Sequence, residues 1–362
     1  MAVPKETIWP LEPHTAAKHK ILEAYLKAWF PIIGSYNTII NYIDGFAGPG
    51  IYSEGEPGSP IIALKVANEH TANLTSKINF LFIEEIEDRA KNLDEEIQKL
   101  KLKANFHPSV VHGKFHQVIE NALKRLESDG KIIAPTFVFI DPFGFSGVPA
   151  TLVDKLLNNR KVEVFINFAV DSINRFIGTD EGKKHIKELF GADGIDEVIN
   201  NYSADRIRDL RDLYQIMLKS MSGFVRYFEM RNTDNRPIYF LFFATNNELG
   251  HLKMKEAMWK VNKEGDFKFY DATNPNQIIM FEKDNFGEEV FNLIKAKFGQ
   301  AKQNVDNVKK FVENETAFLD KHFTQAMKYA EESNLIEVDP LKVDGSKRRK
   351  GTFPDGVLIT IK

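Results

Sequence analysis

The 362-residue sequence contains no cysteine. This absence excludes disulfide bonds, thiolate zinc sites and iron–sulfur clusters held by this chain. The sequence has no G-K-S/T phosphate loop, and its longest apolar runs, such as IYFLFFA, are too short to span a bilayer. The first residues lack a charged region followed by an apolar stretch, so we expect a cytoplasmic protein without a membrane partner.

A strong charge imbalance is also absent. The chain has 48 Lys and Arg against 51 Asp and Glu, which gives a formal net charge of −3. Any binding to nucleic acid would therefore need local basic patches. The length predicts one large domain plus a smaller one, or two comparable domains, and a hydrophobic content of 43% supports a sizeable core.

Short apolar runs alternate with amphipathic segments along the first half of the chain. The runs TIINYID, INFLFIEE, SVVHG, PTFVFIDPFG and VEVFINFA are typical of buried parallel strands. The segment TAAKHKILEAYLKAWF has an apolar stripe and predicts a helix that packs on the sheet. This alternation predicts an α/β, doubly wound Rossmann-like sheet.

The remaining segments predict additions to this sheet. A charged helical insertion is expected at about residues 178–222, and a hairpin is expected around TDNR. We place a domain boundary at 300, so that residues 1–300 form the large domain. The pattern in residues 301–362 predicts two helices followed by a hairpin. This order is typical of a winged helix, so we predict a small winged-helix-like domain.

The stretch DGFAGPG follows the first strand. Glycine-rich turns after the first strand of a doubly wound fold let the backbone approach a ligand. The spacing resembles the first motif of class I S-adenosylmethionine-dependent methyltransferases, which implies that S-adenosylmethionine is the cofactor. The alternative is a tight turn that needs positive φ. The cofactor-binding candidates in this stretch are Asp44, Gly45, Phe46, Ala47, Gly48 and Gly50.

The second strand ends in Glu84, at the position where nucleotide-type sites hold ribose hydroxyls. We therefore predict that Glu84 binds the cofactor ribose, with a favourable acid at a helix N-terminus as the alternative. After the third strand the chain has Lys114, where methyltransferases often have an acid. No adenine-binding residue can be assigned.

The fourth strand ends in DPFG, which resembles the D/N-P-P-Y/F/W motif of amino-methyltransferases. In that motif a carboxylate and a proline carbonyl accept the two hydrogens of a base amine, and an aromatic side chain stacks on the base. Asp141, Pro142 and Phe143 are the catalytic candidates. Phe143 stands where the motif has its second proline, so the stacking role is open. The alternative is a Pro-Gly turn that ends a buried strand.

The chain as a whole resembles the three-Cys-motif partner (TcmP) family. The matching segments include PHTAAKHKILEAYLKAW, YIDGFAGPGIYSEGEPGSP, FIDPFG and KRRKGTFPDG. The resemblance implies a class I methyltransferase-like enzyme and a possible partner that resembles radical-SAM proteins with a three-Cys motif. The order of motifs in this family is also similar to that in bacterial rRNA adenine-N6 methyltransferases.

That similarity implies that His14 and Lys18 lie near the cofactor or target pocket, with Tyr52 and Ser59 at its rim. Ser59 is also predicted to cap the next helix. The alternative for His14 and Lys18 is a solvated helix face. His19 is turned away from this pair by about 100°, so we predict no metal site.

Two groups of cations are candidates for nucleic-acid binding. Arg175 follows the fifth strand, and the expected wing carries Lys347, Arg348, Arg349 and Lys350. Such cations contact phosphates when they are exposed on one surface. The alternatives are ordinary helix capping near Arg175 and a solvated turn in the wing.

Three functions follow from these patterns. The first is an S-adenosylmethionine-dependent methyltransferase that modifies a base amine, adenine-like, in RNA or DNA. The second is a non-catalytic, nucleic-acid-binding or regulatory partner that keeps the fold. The third, a nucleotide hydrolase, is disfavoured because the phosphate loop is absent.

Overall fold

The computed structural model describes residue 4 and residues 6–191, 205–271 and 285–362. These residues form two compact units. The first comprises the described residues up to Val261 together with 268–271, and the second comprises 262–267 and 285–362. Within the described ranges no helix is long and apolar enough to cross a membrane.

The first unit contains one large mixed sheet. Its strands are β1 (Ile39–Asp44), β2 (Lys77–Glu84), β3 (Phe106–His112), β4 (Thr136–Ile140), β5 (Val162–Phe168), β6 (Phe224–Arg231), β7 (Pro237–Thr245) and β8 (Lys268–Tyr270). The order among the described strands is β3-β2-β1-β4-β5-β7-β6-β8. Strands β1 to β5 pair in parallel, and β7 is antiparallel to both β5 and β6. The predicted doubly wound Rossmann-like α/β fold is thus confirmed.

The order of the strands reverses between β1 and β4, which are hydrogen-bonded neighbours. Asp44 at the end of β1 pairs with Phe139, two residues before Asp141. In open α/β sheets, ligands bind beyond the C-terminal strand ends at such a reversal. The register therefore brings the segments after β1 and β4 to one place on the sheet edge.

Helices cover both faces of the sheet, as expected for strands such as β4 and β5 that are buried along their whole length. The helices of the first unit are α1 (Pro13–Tyr36), α2 (Ser59–Asn68), α3 (Glu87–Gln98), α4 (Phe115–Ser128), α5 (Ala150–Leu157), α6 (Val170–Phe176), α7 (Asp180–Phe190), α8 (Arg206–Met221) and α9 (Glu248–Trp259). Helix α1 packs against α2 and α9, whereas α5 to α8 share one hydrophobic cluster with the strands.

The N-terminal helix is longer than its apolar stripe, and the stripe is buried as predicted. The buried residues are Ile21, Leu22, Tyr25, Leu26, Trp29 and Phe30. Tyr25 and Trp29 contact the ring of Phe137 in β4. Burial of each large apolar side chain contributes about 1.5–3 kcal/mol relative to its exposure. This packing fixes α1 firmly on the sheet.

The predicted helical insertion contains α7 and α8, and its residues 192–204 lie outside the described residues. The hairpin predicted around TDNR is present as the antiparallel pair β6 and β7. One prediction is wrong: α2 begins at Ser59, and its N-cap is Gly58, with no side-chain capping bond. Ser59 cannot act as the cap because it already stands in the first helical turn.

The second unit contains helices α10 (Gly287–Phe298), α11 (Val305–Glu315) and α12 (Asp320–Glu332). Its strands are β9 (Lys302–Asn304), β10 (Ile336–Val338) and β11 (Leu358–Ile361). The strands form an antiparallel sheet in the order β10-β11-β9. Because α10 packs on α12, the unit begins before the predicted boundary at 300. The winged-helix assignment stays a prediction.

Candidate functional site

Four polar side chains meet at the C-terminal edge of the sheet, near the reversal. Asp44 ends β1, Glu84 ends β2, Asp141 directly follows β4, and Asn167 is the second-last residue of β5. These strands are parallel and lie in the order β2-β1-β4-β5. The structure therefore brings together residues that the sequence spreads over more than a third of the chain.

The glycine-rich turn after β1 is held by Glu84. The Glu84 carboxylate accepts hydrogen bonds from the backbone N–H of Gly48 (2.8 Å) and from that of Ile86 (2.9 Å). Gly48 and Gly50 have φ values of 63° and 86°, which favour glycine. The alternative of a positive-φ turn thus has a structural basis here, and the cofactor role of these residues stays a prediction.

Asp44 is completely buried at the end of β1. Burial, together with the negative charge of Asp141, raises the pKa of its carboxyl group to about 7, against the opposing effect of the Ser59 hydroxyl. One carboxylate oxygen, Oδ1, accepts weakly from the Phe46 N–H at 3.3 Å. The other, Oδ2, has no hydrogen-bond partner among the described residues. Such an orphaned buried acceptor is typical of a position that contacts a ligand.

Asp141 is held by two side chains. Lys18 Nζ donates to Oδ2 at 2.5 Å, and Asn167 Nδ2 donates to Oδ1 at 2.7 Å. The Lys18 side chain is buried, whereas 21% of the Asp141 side chain is exposed. A carboxylate has about four acceptor positions, so Asp141 keeps the capacity to accept from a ligand. Lys18 thus lies against the catalytic candidate and not against the glycine-rich turn.

His14 lies in a different cluster. Its Nδ1 is 2.9 Å from Asp271 Oδ2, and its Nε2 is 2.9 Å from Glu12 Oε2. Burial opposes protonation of the ring, but the two carboxylates outweigh it and raise the pKa of His14. The backbone carbonyl of His14 accepts from the Tyr239 hydroxyl. His14 is therefore engaged by acids of its own unit.

A cavity of about 530 Å³ opens at this edge. Its volume is in the range of small-molecule sites. Its walls come from the segments after β1 to β4 and from α7, and include Phe46, Glu84, Ile86, Arg89, Lys114, Phe115, Pro142, Phe143, Phe145 and Leu189. Among the described residues that line it, neither Asp44 nor Asp141 is present, and Asp141 instead contacts Lys18 of α1.

Phe143 lines this cavity and also packs against other side chains. Its ring is packed against Trp9 at 5.4 Å between centroids, and the Arg89 guanidinium lies over both rings. Arg89 also donates to the backbone carbonyl of Pro4. Tyr52 contacts Trp9 and His19, so it borders the same region. The N-terminal segment thus covers part of the predicted site.

Sequence reasoning assigns no role to Trp9, Arg89 or Asn167. The sequence marks Asn167 only as a polar residue near the end of the fifth strand, and its contact with Asp141 requires knowledge of strand order. Trp9 and Arg89 carry no local motif, because their contacts join segments from three parts of the chain. The local signal available in the sequence is the position of Asn167, a polar residue near the end of a strand.

The nucleic-acid candidates differ in exposure. Arg175 is exposed and pairs with Asp171 of the same helix at 2.7 Å. In the second unit, Lys347, Arg349 and Lys350 are exposed. Arg348, whose side chain is 6% exposed, instead forms an ion pair with Glu331 and donates to the Thr352 carbonyl. Arg348 therefore stabilises the loop and is not presented to a phosphate backbone.

Neither the protein-family models nor the curated proteins include a match to this chain. Among solved structures, the chain is similar to Trm1 from Pyrococcus horikoshii with S-adenosyl-L-methionine. The two are 12% identical with a TM-score of 0.36, over 72% of this chain and 62% of that one. The chain therefore spans less than two thirds of that protein's length.

Two further structures are similar at the same level. One is an O-methyltransferase from Bacillus cereus in complex with SAH, with 14% identity, a TM-score of 0.35, and 65% and 82% of the two chains covered. The other is human methyltransferase-like protein 13 in complex with SAH. It has 10% identity and a TM-score of 0.38, and the similarity covers 69% of this chain and 93% of that one. Values this low do not establish shared chemistry, so function must be inferred from the residues of the site.

Proposed function

We propose that this protein is an S-adenosylmethionine-dependent methyltransferase that acts on an exocyclic amine of a base in nucleic acid. One observation carries the proposal. At the reversal of a doubly wound sheet, a glycine-rich turn, an acid that ends β2 and the segment that follows Asp141 border one ligand-sized cavity. This is the place where such sheets bind nucleotide-type ligands.

The residues present fit the cofactor. A Cβ atom on Gly45 would lie 2.5 Å from the Phe115 ring, so only glycine allows the backbone to approach that wall. Asp44 supplies an unpartnered acceptor, and Glu84 lines the cavity with lone pairs left beyond its two backbone bonds. In this proposal the turn and Asp44 hold the amino-acid part, and Glu84 holds the ribose.

The cofactor, when bound, supplies an electrophilic methyl group on a sulfonium sulfur. The chain's contribution is to bind and orient the nucleophile. Asp141 accepts an N–H of the target amine, which draws the nitrogen lone pair out of conjugation. Lys18 donates to that carboxylate and holds it in place. Pro142 forms part of the cavity wall next to it.

Nucleic acid is the target class that the surface favours. Lys347, Arg349 and Lys350 are exposed in one loop of the second unit, and exposed cations of this density contact phosphates. Arg175 is a further candidate on the first unit. The pairing with a three-Cys-motif protein stays a prediction, which co-purification would test.

A specific observation favours a second candidate, a non-catalytic nucleic-acid-binding or regulatory module. Asp141 is already engaged by Lys18 and Asn167, and Phe143 is packed on Trp9. A protein of this kind binds the cofactor or nucleic acid but transfers nothing.

One assay separates the two candidates. Purified protein is incubated with labelled methyl donor and separate RNA, DNA and protein pools, and donor binding is measured by calorimetry. We expect label in a nucleic-acid pool, loss of that label in Asp141→Ala, and retained donor affinity in the same variant. Donor binding without any transfer would favour the module. Absence of both would contradict the enzyme.

A further inference from the structure

Asn167 is the most informative side chain outside the predicted site. It is buried near the end of β5, beside β4, and Ile140 and Ile166 are register partners on these strands. Asp141 and Asn167 are the next residues on each strand. Their side chains meet through the 2.7 Å hydrogen bond from Nδ2 to Asp141 Oδ1.

The hydrogen bonds of Asp141 fix the orientation of the Asn167 amide. Asp141 Oδ2 accepts from Lys18 Nζ, and Asp141 Oδ1 accepts from Asn167 Nδ2. An amide oxygen has no hydrogen to donate, so the reverse orientation would place two acceptor oxygens against each other. The Asn167 amide oxygen therefore points away from Asp141.

That oxygen, Asn167 Oδ1, is buried and has no hydrogen-bond partner among the described residues. A buried acceptor left unpaired costs about 1–3 kcal/mol. Native structures retain such a cost mainly where a ligand or an ordered water completes the bond. Two acceptors, the Asp141 carboxylate and the Asn167 amide oxygen, thus stand on adjacent strand ends.

We propose that Asn167 orients Asp141 and that its Oδ1 accepts the second N–H of the target, so that the site selects a primary amine over a hydroxyl. This inference rests on the proposed methyltransferase function. A hydroxyl offers one hydrogen and satisfies one acceptor, whereas an amine offers two. Sites built around paired polar groups discriminate strongly against ligands that leave one group unpaired. Asn167 takes the acceptor role that the sequence motif predicts for the Pro142 carbonyl.

The test uses the full chain, labelled donor and an RNA pool, with transfer measured from pH 5 to 9 and products digested to nucleosides. Asn167→Leu should lose about 100-fold in transfer at every pH, as expected for removal of a preorganised polar contact. Asn167→Asp tests separately whether transfer needs a hydrogen-bond donor to Asp141 at this position. When protonated, the introduced carboxyl group can donate to Asp141 as the amide does, so transfer should be retained at low pH and lost as pH rises.

Two controls accompany these variants. Asn41→Asp changes an asparagine of β1 that bonds Thr136 and Asn79, and it should keep the wild-type pH profile. Affinity for S-adenosylhomocysteine, measured by calorimetry, should change less than about twofold in every variant, because Asn167 is not placed at the cofactor.

Three results would overturn the inference. They are a wild-type profile in Asn167→Asp, near-normal transfer in Asn167→Leu, or an O-methylated nucleoside as the product. A wild-type protein that does not bind S-adenosylhomocysteine, or that binds it but transfers no label to RNA or DNA, would instead refute the proposed function itself.

Discussion

Lys18 in α1 and Asp141 after β4 form a largely buried ion pair, 2.5 Å apart, across 123 residues of sequence. The pair ties the N-terminal helix to the sheet edge at which the candidate site lies. It also holds the Asp141 carboxylate in place next to Pro142, which lines the ligand-sized cavity. The structural and functional roles of Lys18 are therefore coupled.

Substitution Lys18→Met should lower the free energy of unfolding by about 2 kcal/mol, because it removes the charged hydrogen bond between the buried Lys18 side chain and the partly exposed Asp141 carboxylate. Urea denaturation measures this change. Lys27→Met is a matched control, since Lys27 pairs with Glu23 in the same helix but both side chains are largely exposed. We expect less than about 0.5 kcal/mol there. Equal losses in both variants would contradict the account.

Asp44 should make stability depend on pH. Its folded-state pKa is about 7, against 3.8 for an ordinary aspartate. Between these values the folded state binds a proton that the unfolded state releases, so the contribution of Asp44 is complete below the lower value and is lost as pH rises through the higher one.

Relative to Asp44→Asn, the wild-type free energy of unfolding should therefore fall with pH over this window, with a slope of at most about 1.4 kcal/mol per pH unit. Chemical denaturation at several pH values measures the slope. Asp129→Asn, at an exposed aspartate paired with Lys131, should leave the dependence unchanged. Parallel curves for wild type and Asp44→Asn would refute burial as the cause.

The glycine-rich turn should tolerate a side chain poorly at Gly50. An added Cβ there would lie 2.8 Å from Leu93 Cδ1, in a backbone with φ of 86°. Gly55 has nearly the same φ, 87°, but its Cβ would meet nothing within 4 Å. Both alanine variants carry the backbone cost of about 1–2 kcal/mol. Gly50→Ala should be the less stable of the two in thermal unfolding, and the reverse order would contradict the packing described.

The sequence is sufficient to predict the doubly wound sheet, because buried parallel strands leave unbroken apolar runs such as PTFVFI. It also identifies Glu84, since an acid at a strand end is a local signal. It misplaces the cap of α2, because Gly58 and Ser59 are both acceptable N-cap residues and only backbone angles separate them. The Asp141–Asn167 contact could not be predicted, because it depends on β4 and β5 being neighbours. The contact between Trp9 and Phe143 could not be predicted either, because these residues are far apart in the sequence.

Nucleic-acid binding should depend on the exposed loop cations of the second unit and not on Arg348. Replacing Lys347, Arg349 and Lys350 by Gln should weaken binding to an RNA pool, because fewer phosphates are neutralised. The magnitude of the salt slope should fall by about 0.7–0.9 for each phosphate that loses its cation. Filter binding at several salt concentrations measures both quantities.

Arg348→Met is the contrasting variant. It should lower stability, because it removes the ion pair with the partly buried Glu331 carboxylate and leaves that group only the Gly351 N–H as a donor, while the salt slope of the folded protein stays unchanged. A slope that responds to Arg348 alone would reverse this assignment.

The most direct test of the central claim is calorimetric binding of S-adenosylmethionine to three forms of the protein: wild type, Glu84→Gln and Glu87→Gln. Glu84 lines the cavity and holds the glycine-rich turn, whereas Glu87 is exposed, pairs with Lys91 and is not among the lining residues. The account predicts one bound cofactor per chain, at least about tenfold weaker binding in Glu84→Gln, and unchanged binding in Glu87→Gln. No heat of binding to the wild type, or equal affinity in all three forms, would contradict it.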